Sequence, residues 1–435
     1  MKILITNIVT LNVGDAAILY ATADLLRSAF DGEAEFVVYD KQGDVTARYH
    51  PEFNFRKFIY LTRGSKLIQS IDAKTSRLLP PLDEIRFNAG LWAVKNGVPI
   101  LPRILLTDVE LRDLLDYKTA DLIVSGGGTY LVENYSFDAR LFDYRITRYF
   151  GRPLVFFTQS LGPFRNAALR RSLKEIFDAS VAILVRDKES LGNLKDLGVA
   201  NSRIYVSADA AFALSDPAAV ELAKTKSLNR SQPLRVAISV REWRHFKQID
   251  PELGMAQYQD AVLALTRHLV EKHDADITYL STCQGMAEYW TDDSKTAQLI
   301  VDRLDDRART HVLVNADFHS PSVMADFLKS YDVVIATRMH VAILALGMGT
   351  PVLPIAYEFK MQELFLRLGV LRWVQDIETI SSQTLIKSFE LLLGELPEIR
   401  EALFTAVQRE REVALASGEV VRRAFEEWRQ INSGR

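Results

Sequence analysis

The feature that most constrains this chain is a rhythm: short apolar runs rich in β-branched residues recur between amphipathic stretches. The first half carries KILIT from Lys2, EFVVY from Glu35, DLIVS from Asp121, PLVFF from Pro153, VAILV from Val181 and RIYVS from Arg203. The second half starts again with RVAISV from Arg235, DITYLS from Asp276, HVLV from His311, DVVIA from Asp332 and PVLPI from Pro351. Helical patterns such as Ala16–Phe30, Asp138–Phe150, Tyr258–Lys272 and Ser294–Leu304 separate them. Strands buried on both faces and spaced by helices predict parallel, doubly wound sheets. Two such series predict an α/β protein of two Rossmann-like domains facing a cleft, over residues 1–215 and 234–395. The polar stretch Ser215–Pro233 reads as the linker, and residues 396–435 as a closing amphipathic helix. Residues Ala47–Asp116 break the rhythm and read as an insertion in the first domain.

Composition removes several function classes. The formal net charge is −3, so no global basic field recruits nucleic acid, and any anion must be held by a few local cations. The single cysteine, Cys283, excludes an intrachain disulfide framework and suits a reducing compartment. The opening MKILITNIV reads as a first strand, not a signal peptide. The nearly uncharged stretch Val341–Tyr357 is interrupted by Gly347, Gly349, Thr350 and Pro351, whereas a spanning helix needs about 20 apolar residues. A soluble, cytoplasmic chain is the expectation.

Ligands of doubly wound sheets lie beyond the carboxyl ends of the strands, so the loops there carry the candidates. Asn12-Val-Gly14-Asp15 precedes a helix; Asp15 can cap that helix or act as an acid or base. Ser125-Gly126-Gly127-Gly128-Thr129 exposes backbone N–H groups suited to an anion or a sugar hydroxyl, or is a tight turn. Gln159 and Ser160, before Gly162-Pro163, offer hydrogen bonds to a ligand or belong to a plain turn. Arg241, with Glu242 beside it, is a natural fork for carboxylate or phosphate, or one half of a surface pair. Thr337-Arg338-Met339-His340 opens an apolar helix with Thr337 as its expected N-cap. A helix N-terminus disfavours extra positive charge, so Arg338 and His340 make sense there if an anion binds. Tyr357-Glu358-Phe359-Lys360 adds a carboxylate and an ammonium. His268 and His273 read as solvated, Cys283 as a buried structural thiol, and Asp292-Asp293 as a helix start. No metal site is expected.

In this order, the segments NVGDAAIL, SGGGTYL, FFTQSLGPF, LVRDKESL, SADAAFAL, VAISVREW, LSTCQG and ATRMHVAILALGMGTPVLPIAYEFK resemble the polysaccharide pyruvyl transferase family, closest to its colanic-acid biosynthesis type. The resemblance spans nearly the whole chain; Met339 stands where the family more often has Leu, and Ala47–Asp116 matches least. It implies a fold similar to the B-type glycosyltransferases and phosphoenolpyruvate as donor, with no other cofactor. It assigns Arg241 and Arg338, helped by Met339, Glu358 and Lys360, to the donor, and His340 to acid catalysis. Asn12, Gly14, Gly126–Gly128, Thr129, Gln159 and Ser160 fall to the acceptor side, and Asp15 or Glu242 to the base.

The chemistry expected is protonation of C3 of phosphoenolpyruvate by His340, addition of a sugar hydroxyl at C2, loss of phosphate and closure of a cyclic ketal. A nucleotide-sugar glycosyltransferase on the same fold, with Glu358 on a ribose and Arg338 and Lys360 on a diphosphate, is the alternative. A non-catalytic glycan-binding protein is the third. The implied acceptor is a sugar or lipid-linked oligosaccharide, which suggests peripheral membrane contact through residues 53–66 and 91–106. There Phe53, Phe55, Arg56, Lys57, Phe58, Tyr60, Leu61, Arg63 and Lys66, with Leu91, Trp92, Val94, Lys95, Leu101, Arg103, Leu105 and Leu106, put apolar anchors beside cations.

Overall fold

The computed structural model describes residues 1–62, 80–133, 135–227, 232–283 and 291–432. The central apolar runs form strands buried on both faces, while the edge runs from Arg203 and His311 are partly exposed. One parallel sheet contains β1 (Lys2–Ile8), β2 (Glu35–Asp40), β3 (Asn54–Lys57), β4 (Leu122–Ser125), β5 (Gly128–Leu131), β6 (Leu154–Leu161), β7 (Ala182–Val185) and β8 (Ile204–Val206). Its order is β3-β2-β1-β4-β6-β7-β8, with β5 also lying along β6. A second parallel sheet contains β9 (Arg235–Ser239), β10 (Asp276–Leu280), β11 (Val312–Asn315), β12 (Val333–Ala336), β13 (Val352–Ala356) and β14 (Gln375–Asp376), in the order β11-β10-β9-β12-β13-β14. Both orders reverse direction beside their first strand, between β1 and β4 and between β9 and β12, the switch point where such sheets hold ligands.

The chain divides into two compact units, Met1–Val9 with Thr22–Ser207 and Ser417–Arg435, and Thr10–Ala21 with Ala208–Ala416. This differs from the division read from the sequence. Residues 10–21 join the second unit, where Val13 N donates to Thr282 O at 3.1 Å. The boundary near 215 moves back to Ser207, because the turn Ala210–Leu214 packs on the helix Met339–Gly347 and Asp216 N donates to Gly347 O at 2.9 Å. The polar composition of 215–233 reflects exposure, since Pro217–Ala223 is a capped helix within the second unit. The closing helix begins earlier than its charge pattern suggests, running Ser382–Asn432 with Pro397 inside it.

The insertion is built as part of the first unit. β3 pairs in parallel with β2, and Thr107 and Glu110 form a reciprocal cap on the helix Asp108–Thr119. Of the proposed membrane anchors, Phe55, Phe58, Leu91, Val94 and Leu106 are buried in the core, which assigns them to packing, while Tyr60, Leu61 and Trp92 are exposed. Arg63 and Lys66 lie outside the described residues. Among the described residues, no helix is long and apolar enough to cross a membrane.

Candidate active site

In the second unit, the carboxyl ends of four adjacent strands bring the candidate residues together. Arg241 follows β9, Ser281–Cys283 follow β10, Arg338 follows β12 and Tyr357 follows β13. The guanidinium of Arg241 lies over the rings of Tyr357, at 4.2 Å, and Trp243, at 4.9 Å. Those rings pack on each other, with centroids 4.6 Å apart, so Arg241 lies against both of them, and no carboxylate pairs with it among the described residues. A cation held by aromatic faces keeps its full charge for an incoming anion. Glu242, its expected surface partner, pairs with Arg244 at 2.6 Å.

Arg338 is different. Its Nε donates to Asp293 Oδ2 at 3.0 Å and its Nη2 to Asp293 Oδ1 at 2.5 Å, and Asp293 is fully buried. Burial works against the charged guanidinium, but the Asp293 carboxylate outweighs it and holds the pKa well above its ordinary value. Asp293 also accepts from Thr282 Oγ1 at 3.1 Å and Cys283 N at 3.3 Å, so it is a wired-in counterion and not simply the start of a helix. The expectation that Arg338 brings a free charge is corrected: the pair is neutral, and Nη1 remains as a donor without a partner among the described residues. Lys360 is likewise neutralised, its Nζ 2.7 Å from Glu358 Oε2. Met339 is buried, and Arg338, not Thr337, occupies the N-cap position of the helix Met339–Gly347. Thr337 Oγ1 is bonded instead to Tyr258 OH at 2.8 Å.

His340 sits in the first turn of that helix. Asp209 Oδ2 stands 3.4 Å from its Nε2, and Nε2 makes no hydrogen bond among the described residues. Asp209 caps the turn Ala210–Leu214 through Ala211 N at 3.0 Å, which fixes where its carboxylate stands. On the other side of the imidazole lies Gly14: a Cβ there would come 2.5 Å from His340 Nδ1. Gly14 is therefore needed for close approach of backbone to the imidazole, where the sequence suggested approach to a ligand. Asn12 Oδ1 accepts from Gly14 N at 2.8 Å and so caps the opening helix Val13–Ala29, the role left open for Asp15. Asn12 Nδ2 also reaches Cys283 Sγ at 3.3 Å. Asn12, Gly14 and Asp15 thus belong with the donor-side residues, and Asp15 is buried among them. Burial pushes the Cys283 thiol up to about 12, which leaves it inert at neutral pH. Two further buried groups, Ser239 Oγ and Trp243 Nε1, have no partner among the described residues.

In the first unit the glycine loop is not a strand-to-helix turn. β4 ends at Ser125, Gly126 and Gly127 make a jog, and β5 resumes at Gly128 along the same strand, β6. Gly128 has φ 130, open to glycine and strained for other residues. Gln159 is fully buried and turned inward: its Nε2 donates to Ser125 O at 3.0 Å, Ser125 Oγ at 3.1 Å and Gly126 O. Ser160 is also buried, donating to Asp187 Oδ2 at 2.6 Å and accepting from Arg186 Nε at 2.8 Å. Arg186 Nη2 donates to Thr129 Oγ1 at 2.8 Å. The ligand-facing expectation for Gln159 and Ser160 is corrected, because both are buried and the Gln159 amide nitrogen and Ser160 hydroxyl join strand ends, while Gln159 Oε1 makes no hydrogen bond among the described residues. Asn7 and Thr158 hold left-handed backbone, φ 62 and 47, on β1 and β6, and Arg140 Nε donates to Asn7 Oδ1. Sequence patterning missed these, as it missed Asp209 and Asp293, since a lone polar residue at a strand end carries no period.

A family model for polysaccharide pyruvyl transferases matches residues 12–358, most of the chain. The chain belongs to that family. A curated relative, the amylovoran biosynthesis protein AmsJ of Erwinia amylovora, is 24% identical over 363 residues, covering 80% of this chain and 81% of its own. Solved structures similar to this pyruvyl transferase include a putative UDP-N-acetylglucosamine 2-epimerase of Listeria monocytogenes. Its TM-score is 0.56 at 14% identity, covering 100% of this chain and 97% of that one. The UDP-GlcNAc 2-epimerase of Neisseria meningitidis gives 0.54 at 12% identity, over 98% and 100%. At such identities the likeness concerns fold alone, a pair of Rossmann-like sheets as in B-type glycosyltransferases. The family makes the protein a transferase, a polysaccharide pyruvyl transferase.

Proposed function

We propose that this pyruvyl transferase takes phosphoenolpyruvate as donor and builds a cyclic pyruvate ketal on a sugar diol of an exopolysaccharide precursor, carried on a lipid-linked oligosaccharide. The observation that carries the reading is Arg241, unpaired with any carboxylate among the described residues, on the same strand-end face as His340, whose buried Nε2 makes no hydrogen bond there. The donor brings a carboxylate and a phosphate. Arg241 meets one with full charge, and Arg338 Nη1 offers a directed donor to the other. The N-terminus of the helix Met339–Gly347 adds its dipole beside them. His340 as imidazolium delivers a proton to C3, which makes C2 electrophilic, and the first sugar hydroxyl adds there. That hydroxyl's proton restores His340, with Asp15 the candidate relay. The C2–O bond to phosphate then breaks, the second hydroxyl closes the ring, and its proton leaves with phosphate. Asp209 Oδ2, 3.4 Å from Nε2, is the carboxylate beside the imidazole. No cofactor or metal enters this scheme.

The test joins binding to isotope placement. Arg241→Ala should weaken phosphoenolpyruvate binding by about 2–5 kcal/mol in calorimetry. His340→Gln should keep the donor but lose turnover by about 10² or more. In heavy water the wild-type ketal methyl should carry one solvent deuterium. A methyl group free of deuterium, or donor affinity untouched in Arg241→Ala, would overturn this mechanism.

A further inference from the structure

Away from the strand-end site, in the same unit, His268 and His273 converge on Glu390. His268 lies within and His273 at the end of the helix Pro251–His273, and Glu390 lies on the helix Ser382–Asn432. His268 Nε2 and His273 Nε2 each stand 2.7 Å from the same oxygen, Glu390 Oε1. Lys272 Nζ stands 2.7 Å from the other oxygen. These histidines read as solvated in the sequence, yet all three of the converging side chains are only partly exposed, at 24%, 20% and 31%. We propose that His268, His273 and Glu390 form a binding site for one divalent transition-metal ion of the zinc type, which clasps these two helices.

Chemistry and geometry support this together. One ligand atom from each residue lies within 4.8 Å of the others, so an ion can reach all three. Two imidazoles and a carboxylate are a donor set for zinc, nickel or copper and not for magnesium or calcium. Donors in a tetrahedral zinc shell lie about 3.3 Å apart, so the present 2.7 Å contacts must open by about 0.6 Å. As neutral rings, both histidines can now point an Nε2–H at the carboxylate. Metal binding moves that hydrogen to Nδ1, leaving Nε2 as ligand and the net proton count of each ring unchanged. The helix bearing both histidines ends here, with Asp274 in the left-handed cap at φ 47, and the negative end of its dipole favours a cation. Lys272, half exposed, occupies the second carboxylate oxygen and can swing into solvent, leaving water to complete the shell. His268 and His273 lie within the residues matched by the family model, and Glu390 lies beyond them on the tail helix.

The experiment uses full-length, untagged protein stripped with chelator and titrated with zinc chloride. Equilibrium dialysis should give one zinc per chain, and saturating zinc should raise the unfolding midpoint by about 3 °C or more. Cobalt at the site should give the visible absorption of a low-symmetry mixed nitrogen–oxygen shell. His268→Gln and Glu390→Gln should each weaken zinc binding by about tenfold or more. If either fails to fold, Lys272→Ala keeps the clasp and removes the competing ammonium, and should tighten zinc by about threefold or more. No stoichiometric zinc in the wild type, or affinity unaltered in all three variants, overturns the proposal.

Discussion

The two sheets carry closely similar topology, yet the side chains at their switch points differ in how far they bond one another. Between β9 and β12 the polar groups are unfinished: Arg241 has aromatic faces and no counterion among the described residues, and His340 Nε2, Ser239 Oγ and Trp243 Nε1 lack partners there. Between β1 and β4 more of the groups bond one another, although Gln159 Oε1, Thr158 Oγ1, Asp143 Oδ1 and Tyr117 OH make no hydrogen bond among the described residues. Ser125 accepts from Gln159 and bonds Tyr144 OH at 2.7 Å, and Thr6 Oγ1 donates to Asp143 Oδ2 at 2.6 Å. A buried polar group left without a partner costs stability, so a fold keeps one mainly where a ligand completes it. The bonds made between β1 and β4 hold strand ends in place. The same kind of loop, rich in Gly and polar side chains, thus serves the proposed binding site in one sheet and joins strand ends in the other.

The sharpest way to break this comparison is inside the second unit, where one element, the Arg338–Asp293 pair, is finished. Asp293→Ala strands a buried guanidinium and should cost about 3–5 kcal/mol in denaturant unfolding. Replacing both partners, Asp293→Leu with Arg338→Met, should recover most of that stability while donor binding stays lost. Full recovery of binding in the double variant would mean that Arg338 serves the fold alone.

The next effect tests the first sheet's network. Burial raises the Asp143 carboxyl to about 7, with the Thr6 hydrogen bond, the neighbouring Tyr117 hydroxyl and the Arg140 charge opposing. The native state therefore holds a proton that the unfolded chain, with an ordinary carboxyl near 4, has released. Stability from this group is complete below about pH 4 and is lost as pH rises through about 7, with a slope no steeper than about 1.4 kcal/mol per pH unit. Asp143→Asn should remove that slope and leave the variant relatively more stable above pH 7. An unchanged pH profile would show that the acid is not buried as a neutral group.

The smallest effect sharpens the contrast directly. Gln159→Leu removes three donations to Ser125 and Gly126 and should cost about 1–3 kcal/mol of stability. Phosphoenolpyruvate affinity should be unchanged. A loss of donor affinity without a loss of stability would move Gln159 into the binding machinery.

Much of the architecture was legible in the chain. All eleven apolar runs became strands, because a β-branched run buried on two faces has few other solutions. The strands that escaped were β3, β5 and β14, which are short or lie at the sheet edge or against a glycine jog, and so carry no apolar run of their own. The candidate loops were legible too, because strand ends are where a doubly wound sheet leaves backbone and side chains uncovered. What only the tertiary structure decided was the state of each charge. Arg241 and Arg338 look alike in sequence, but Asp293, 45 residues away, neutralises one, while Tyr357, on the loop after β13, clasps the other without quenching it. Gly14 looked like a ligand turn and proved to be clearance for His340, and His268 and His273 looked solvated until a helix over a hundred residues on brought Glu390 between them. Periodicity encodes which face of an element is buried; the partner of a lone polar group depends on a long-range contact, which no local spacing records.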